Sequence, residues 1–197
     1  MMSKPALTRL GRRDALMVAV LWLSGRAQAQ TPAPTAPAPP AEVQAELPGA
    51  RLQGKGQMRF LGLRVYDIRL WAGAQAVGAV WSDAVLALEI EYLRRLDGAQ
   101  IAERSLTEMR RQSDIPADTA QRWLLLMKKL FPDVRAGDRI TGLNLPGQGA
   151  RFFINAQLQG EVREAEFARL FFGIWLSPRS SEPALREALL ASPRGVP

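Results

Sequence analysis

Cysteine and histidine are both missing from this chain, and tyrosine occurs only twice in 197 residues. Without cysteine there is no disulfide, no thiolate nucleophile and no thiolate metal site. Without histidine there is no Ser-His-Asp machinery, no HExxH zinc site and no imidazole general base. Any catalysis would fall to Tyr, Lys, Arg, Asp or Glu. A glycine-rich phosphate loop is also lacking, because Gly54-Lys55-Gly56 does not have the spacing of one. Nothing in the sequence calls for a cofactor or a metal.

Long apolar runs are equally scarce. "ALMVAVLWL" (15–23) is too short to cross a bilayer, which takes roughly 20 residues. It follows a basic stretch with Lys4, Arg9, Arg12 and Arg13 and precedes Ala27-Gln28-Ala29, the small-residue pattern of a cleavage site. Residues 1–29 are expected to be a secretory signal peptide. The pair Arg12-Arg13 suits twin-arginine export, with the general export route and an N-terminal anchor as alternatives. A periplasmic or secreted protein with no transmembrane span after cleavage is the expectation. Cleavage removes five of the 26 basic residues (Lys4, Arg9, Arg12, Arg13, Arg26) and one of the 19 acidic (Asp14), so the net charge falls from +7 to +3. That mild charge, with no single basic stripe, argues against nucleic acid as a partner.

Residues 30–48, rich in alternating Pro and Ala, are expected to be a disordered, partly polyproline linker. A single domain is expected over 49–192, with a short tail at 193–197. Arg51 to Trp71 reads as two strands with Gly62 at the bend. In "VLALEIEYL", Leu86, Leu88, Ile90 and Tyr92 alternate with Ala87, Glu89 and Glu91, the pattern of a half-buried strand with a polar face. Asp97 and Gln100 fit a capping box. Ile101, Ala102, Ser105, Leu106 and Met109 then form a helical stripe, with Glu103, Arg104, Glu108, Arg110 and Arg111 outside it. A second helix begins near Pro116, with Trp123, Leu124, Met127, Leu130 and Phe131 inward and Pro132 ending it. A strand follows the turn at Gly137-Asp138, and 150–162 suits a strand or a tight hairpin around Asn155-Ala156. Phe167, Leu170, Phe171, Ile174 and Trp175 define a third helix whose aromatic stripe is expected to be core, and a short helix covers Pro183 to Leu190. Strands, helices, strands, helices is an α+β order, with an antiparallel sheet and helices on one face.

Four segments carry a resemblance: "GKGQMRFLGLRVYDIRLWAG", "ALEIEYLRRLDGAQIAERSLTEM", "LFPDVRAGDRITGLNLPGQGARFFIN" and "FARLFFGIWLSPRSSEPALREALL". From about Leu52 to Leu190 the chain resembles the bacterial exported chalcone isomerase-like proteins. The resemblance implies an open-faced sandwich, one large antiparallel sheet with helices layered on one face. Plant chalcone isomerases use a strand arginine, a threonine on the next strand, a helical tyrosine and asparagine, and a late threonine. Those positions fall at or near Gly56, Tyr66, Ile101, Glu108 and Ile174 here, and none matches. Flavonoid cyclisation is therefore not expected. Fatty-acid-binding relatives of this fold grip a carboxylate with an arginine and a tyrosine.

The charged segment "RFLGLRVYDIRLWAG" (59–73) is where such a grip could lie. A turn at Leu61-Gly62 would set Phe60 opposite Leu63, Arg59 opposite Arg64 and Gln57 opposite Tyr66. Arg59, Arg64, Gln57 and Tyr66 would then share one face, with Met58, Phe60, Leu63 and Val65 on the other. Opposed arginines repel unless an anion lies between them, and a ligand carboxylate would serve. Arg59, Arg64 and Tyr66 are thus the candidate binding residues for a small apolar carboxylate. The competing reading, which the sequence favours, is a solvated face on which Glu89 and Glu91 neutralise these arginines, each pair worth about 0.2–1 kcal/mol. The expected function is an exported, non-catalytic protein binding a fatty acid or other small apolar acid. An isomerase or intramolecular lyase with a non-standard site, using Tyr66 as acid, is one alternative. A periplasmic protein-interaction module is another.

Overall fold

Six segments with two-residue periodicity form strands β1 (Arg51–Phe60), β2 (Leu63–Ala72), β3 (Leu86–Tyr92), β4 (Arg139–Leu145), β5 (Gly149–Ile154) and β6 (Gln157–Val162). This computed structural model describes residues 37–191. The expected signal peptide (1–29), the first part of the expected linker (30–36) and the expected tail (193–197) lie outside the described residues. All six strands make one antiparallel sheet in chain order, with β1 and β6 at its edges. Two-residue turns join β1 to β2 through Leu61 (φ 48) and Gly62 (φ 77), and β5 to β6 through Asn155 (φ 48) and Ala156 (φ 70). Paired left-handed residues of this kind give a turn whose twist matches that of the strands it joins.

One face of the sheet carries the main core. Ile68 and Leu70 of β2, Leu86, Leu88 and Ile90 of β3 and Phe152 of β5 pack there. Above them lie helices α2 (Gly98–Arg110), α3 (Ala117–Leu130), α4 (Ala165–Leu176) and α5 (Pro183–Leu190). Asp97 caps α2, its carboxylate accepting from the N–H groups of Ala99 (2.9 Å) and Gln100 (3.2 Å). The aromatic stripe of α4 is core, as expected, at its first turns: Phe167 stacks on Phe171 at 5.7 Å, and Phe152 meets both edge-on. Helix α5 crosses β1 at its glycines. A Cβ on Gly54 would lie 2.2 Å from the Leu189 carbonyl oxygen, and one on Gly56 2.2 Å from Leu185 Cδ1. The absence of a side chain there lets the helix touch the strand.

The expected linker needs correction. Its C-terminal part is a short helix, α1 (Ala41–Glu46), docked on the other face of the sheet, so the folded region starts before Gly49. Val43, with Leu47 and Ala50, packs on Trp71, Ala87, Leu143 and Phe153 in a small second core. Glu42 is buried and accepts from Thr141 Oγ1 (2.8 Å) and Arg139 Nη2 (3.3 Å), while Arg151 Nη1 donates to Glu46 (2.7 Å). Six residues are too few to hold a helix alone in water. Docking on the sheet supplies what the local sequence cannot. Among the described residues, no other helix covers this second face.

Candidate functional site

Toward the end of the sheet where β2 and β3 meet α2 and α4, the layers part to leave a cavity of about 450 Å³. Met58, Ile90, Ile101, Ile140, Phe171 and Ile174 give it apolar walls. The only two tyrosines of the chain, Tyr66 and Tyr92, also line it. They are direct partners across β2 and β3, with ring centroids 6.0 Å apart in an edge-to-face arrangement. Trp175 Nε1 donates to the Tyr66 hydroxyl oxygen at 2.9 Å, which leaves the phenolic proton free to be donated to a guest. The Tyr92 hydroxyl makes no hydrogen bond to any described residue. Burial pushes the Tyr66 phenol up to about 12, the Trp175 bond lowers it, and the fields of Glu182, Arg104 and Glu108 also reach it. Burial likewise pushes Tyr92 far upward. Both phenols are neutral donors at physiological pH.

The polar wall comes from α2. Glu108, expected on the outside of that helix, is buried and lines the cavity, which is a correction. It sits on the stripe Ile101, Ser105, Glu108 and Gln112, which turns toward the sheet and α4. Arg104 Nη2 meets its carboxylate at 2.7 Å and Arg111 Nε at 3.5 Å, which compensates the buried charge. Arg94, Arg95 and the largely exposed Arg104 stand at the rim. Gln100 lines the cavity instead of completing a capping box.

Of the three candidate residues from the sequence, the structure puts Tyr66 in the cavity and leaves Arg59 and Arg64 outside it. The hairpin begins as expected, Phe60 opposite Leu63 and Arg59 opposite Arg64. A register shift then places Tyr66 opposite Met58 and Asp67 opposite Gln57. Val65 is the extra residue of a β-bulge, and one extra residue reverses the side-chain alternation beyond it. Val65 and Tyr66 therefore both face the cavity, and Arg64 joins Arg59 on the opposite side. Of the expected row, Arg59, Arg64 and Gln57 share a face, and Tyr66 is replaced there by Asp67, which accepts from Gln57 Nε2 at 2.7 Å.

Glu89 and Glu91 do neutralise arginines, but different ones. Glu89, only 4% exposed, accepts from Arg69 Nη1 (3.0 Å) and Trp71 Nε1 (2.8 Å), and Arg139 Nε lies 3.6 Å away. Glu91 bonds the same Arg69 at 3.1 Å. This polar face of β3 is buried rather than half wet, because Arg69, Arg139 and α1 cover it. A second hollow of about 370 Å³ lies between the β4–β5 turn and β6. Its charges, Arg151, Glu161 and Arg163, are already paired with one another.

Four of the five positions where the family resemblance placed the plant enzymes' catalytic residues line the cavity: Tyr66, Ile101, Glu108 and Ile174. The isoleucines have no group that could guide a proton or a water. The fifth position, Gly56, lies under Leu185 of α5, and no arginine fits beneath that side chain. The position of the site could be found from sequence through those alignments. Arg94, Arg95 and Arg104 were missed as site residues, since no local pattern separates a rim arginine from a surface one.

The fold is similar to the crystal structure of an Arabidopsis thaliana fatty-acid binding protein, with a TM-score of 0.57 and 15% identity over 73% of this chain and 87% of that one. An uncharacterized protein of Haemophilus influenzae is 31% identical over 105 residues, 53% of this chain. The chain spans about half (51%) of the length of that curated relative. The model of the chalcone isomerase-like family matches residues 38–191, a span that includes α1 and every element of the sheet and helical layer. With that match added to the six-stranded antiparallel sheet and its one-sided helices, the chain belongs to the chalcone isomerase-like family.

Proposed function

We propose that this protein binds a fatty acid or a similar small apolar acid in the cavity between sheet and helices, and that it does so after export. The observation that carries the proposal is the cavity itself: apolar walls with two unshared phenolic protons inside and three arginines at the rim. Its volume of about 450 Å³ falls in the range of roughly 300–1,000 Å³ usual for small-molecule sites. An alkyl tail would lie against Ile90, Ile101, Phe171 and Ile174. The carboxylate would accept from Tyr66 and pair with Arg104, whose present partner Glu108 keeps Arg111. The fold it shares with a fatty-acid binding protein supports this reading. Export is supported by the basic, apolar and small-residue pattern of 1–29.

Calorimetry on delipidated protein with dodecanoate and hexadecanoate tests the binding. Saturable one-to-one binding is expected, lost in Ile101→Trp, which fills the cavity, and weakened about 3- to 10-fold in Tyr66→Phe by removal of one hydrogen bond. No heat with either acid, or equal affinity in Ile101→Trp, would refute it. N-terminal mass spectrometry of protein from its own cell tests export, with a mature chain beginning at Gln30 as the expected result.

A further inference from the structure

The turn joining β1 and β2 holds three large apolar side chains out in solvent. Phe60, Leu61 and Leu63 are 58%, 87% and 55% exposed. Leu61 also adopts φ 48, a left-handed backbone that costs an apolar branched residue and that Asn, Asp or Gly ordinarily supplies in this turn. The β5–β6 turn has the same form and uses Asn155, whose side chain accepts from the Arg139 N–H and donates to Asp138. Leu61 gains no such bond. It is unfavourable in backbone and in hydration at once, and the packing of the domain offers nothing in return.

Positive charge surrounds this tip. Arg59 and Arg64 oppose each other at its base, both exposed, and neither pairs with a carboxylate among the described residues. The Leu93 N–H bonds the Val65 carbonyl at 2.9 Å, so Arg94 and Arg95 continue from the neighbouring strand at the same end of the sheet. Arg95 approaches Asp133 only to 3.9 Å.

We propose that this hairpin tip docks on an anionic phospholipid bilayer, with Phe60, Leu61 and Leu63 entering the headgroup–acyl boundary and Arg59, Arg64, Arg94 and Arg95 meeting lipid phosphates. A convex tip of three side chains is too small for a stable protein interface, which buries roughly 1,200–2,000 Å². A fluid bilayer needs no shaped partner. Arginine stems lie along apolar surface while the guanidinium reaches the phosphate plane, and each such arginine adds about fivefold to partitioning on anionic lipid. Phe60, Arg94 and Arg95 also line the rim of the cavity, so docking would bring that rim to the bilayer, where long-chain acids reside. The membrane proposal rests on the tip alone and stands whether or not the cavity binds an acid.

Vesicle flotation without added ligand tests it, on the full chain and on the chain from Gln30, which keeps the whole described fold. Binding to phosphatidylglycerol–phosphatidylethanolamine vesicles is expected for both forms, with little on pure phosphatidylcholine and a decline with salt. In the chain from Gln30, Arg59→Gln with Arg64→Gln should lower partitioning roughly 25-fold, from about fivefold per arginine. Phe60→Ser, Leu61→Ser and Leu63→Ser together should lower it at least tenfold while the circular dichroism spectrum stays native, since all three side chains are exposed. Failure of the chain from Gln30 to float, or equal flotation of the substituted forms, would overturn the proposal. So would a dimer seen by light scattering that the triple substitution abolishes without vesicle binding in the parent.

Discussion

A single inserted residue, Val65, decides what the charged segment does. In a regular strand Arg64 and Tyr66 would share a face, and the bulge separates them, sending the phenol to the cavity and the guanidinium to the far side. The tyrosines then become the chemical signature of the site. Burial raises Tyr66 above the ordinary tyrosine value, so its contribution to stability is fully present below about pH 10 and is lost as pH rises through about 12. Ultraviolet titration should show no tyrosinate at pH 10, followed by ionisation of both groups together with alkaline unfolding. Titration of either phenol near its ordinary value would mean that the cavity is wet. On the opposite face, Glu89 is held by Arg69, Trp71 and Arg139. Glu89→Ala leaves two guanidinium groups without that carboxylate, and urea unfolding should register a loss on the order of 3 kcal/mol.

At the scale of elements, the helical layer is positioned by what it touches. Helix α5 reaches β1 only because Gly54 and Gly56 present bare backbone to Leu189 and Leu185. Gly54→Ala sets a methyl against a backbone carbonyl that cannot rotate away, so α5 must shift. Overpacking of this kind costs about 1–3 kcal/mol, and hydrogen exchange should show α5 as the element that loses protection. Helix α4 starts at Glu164, which bonds Arg122 and accepts from Trp123 Nε1 at 2.9 Å, tying it to α3. The Arg122 bond holds the Glu164 carboxyl below the ordinary glutamate range, with a smaller lowering by Trp123. Its stabilising effect is therefore complete above that range and is lost as pH falls through the depressed native value. Glu164→Gln should be less stable than the parent at neutral pH, and thermal melts of the two should converge in acid.

For the whole molecule, the cavity is the space left where the sheet and the α2–α4 layer diverge, and its size sets a length scale for a guest. Each methylene of a saturated acid that enters it should add about 0.8 kcal/mol, or about fourfold in affinity. A calorimetric series from octanoate upward should follow that slope and then level off once the tail reaches the rim. A flat series would indicate that the apolar walls do not take up the chain. Rim arginines from two segments, the stretch after β3 (Arg94, Arg95) and α2 (Arg104), contribute the charge, so the rim exists only when α2 is docked at that end of the sheet.

Alternation in β3, the helical stripes of α2 to α4 and the turn residues at Gly62, Gly137 and Asn155 were enough to obtain the element order, because period and turn chemistry are local properties. The family motifs added the sheet's extent and four of the five positions that line the cavity. Three features escaped that reading. The Val65 bulge changes pairing register, a relation between two strands that neither strand states by itself. Helix α1 is too short to form alone and is stabilised by Val43 and Glu42 on a sheet surface assembled from residues far along the chain. Glu108 and Glu89 look like surface carboxylates in a linear pattern, but Glu108 is buried where α2 packs on the rest of the fold, with Arg104 and Arg111 beside it in sequence, and Glu89 is reached by Arg69 and Arg139 of the neighbouring strands. The sequence by itself determined the layers and which strand carries the tyrosine. Only the tertiary structure decided which charges face the cavity, because facing depends on register and docking rather than on local period.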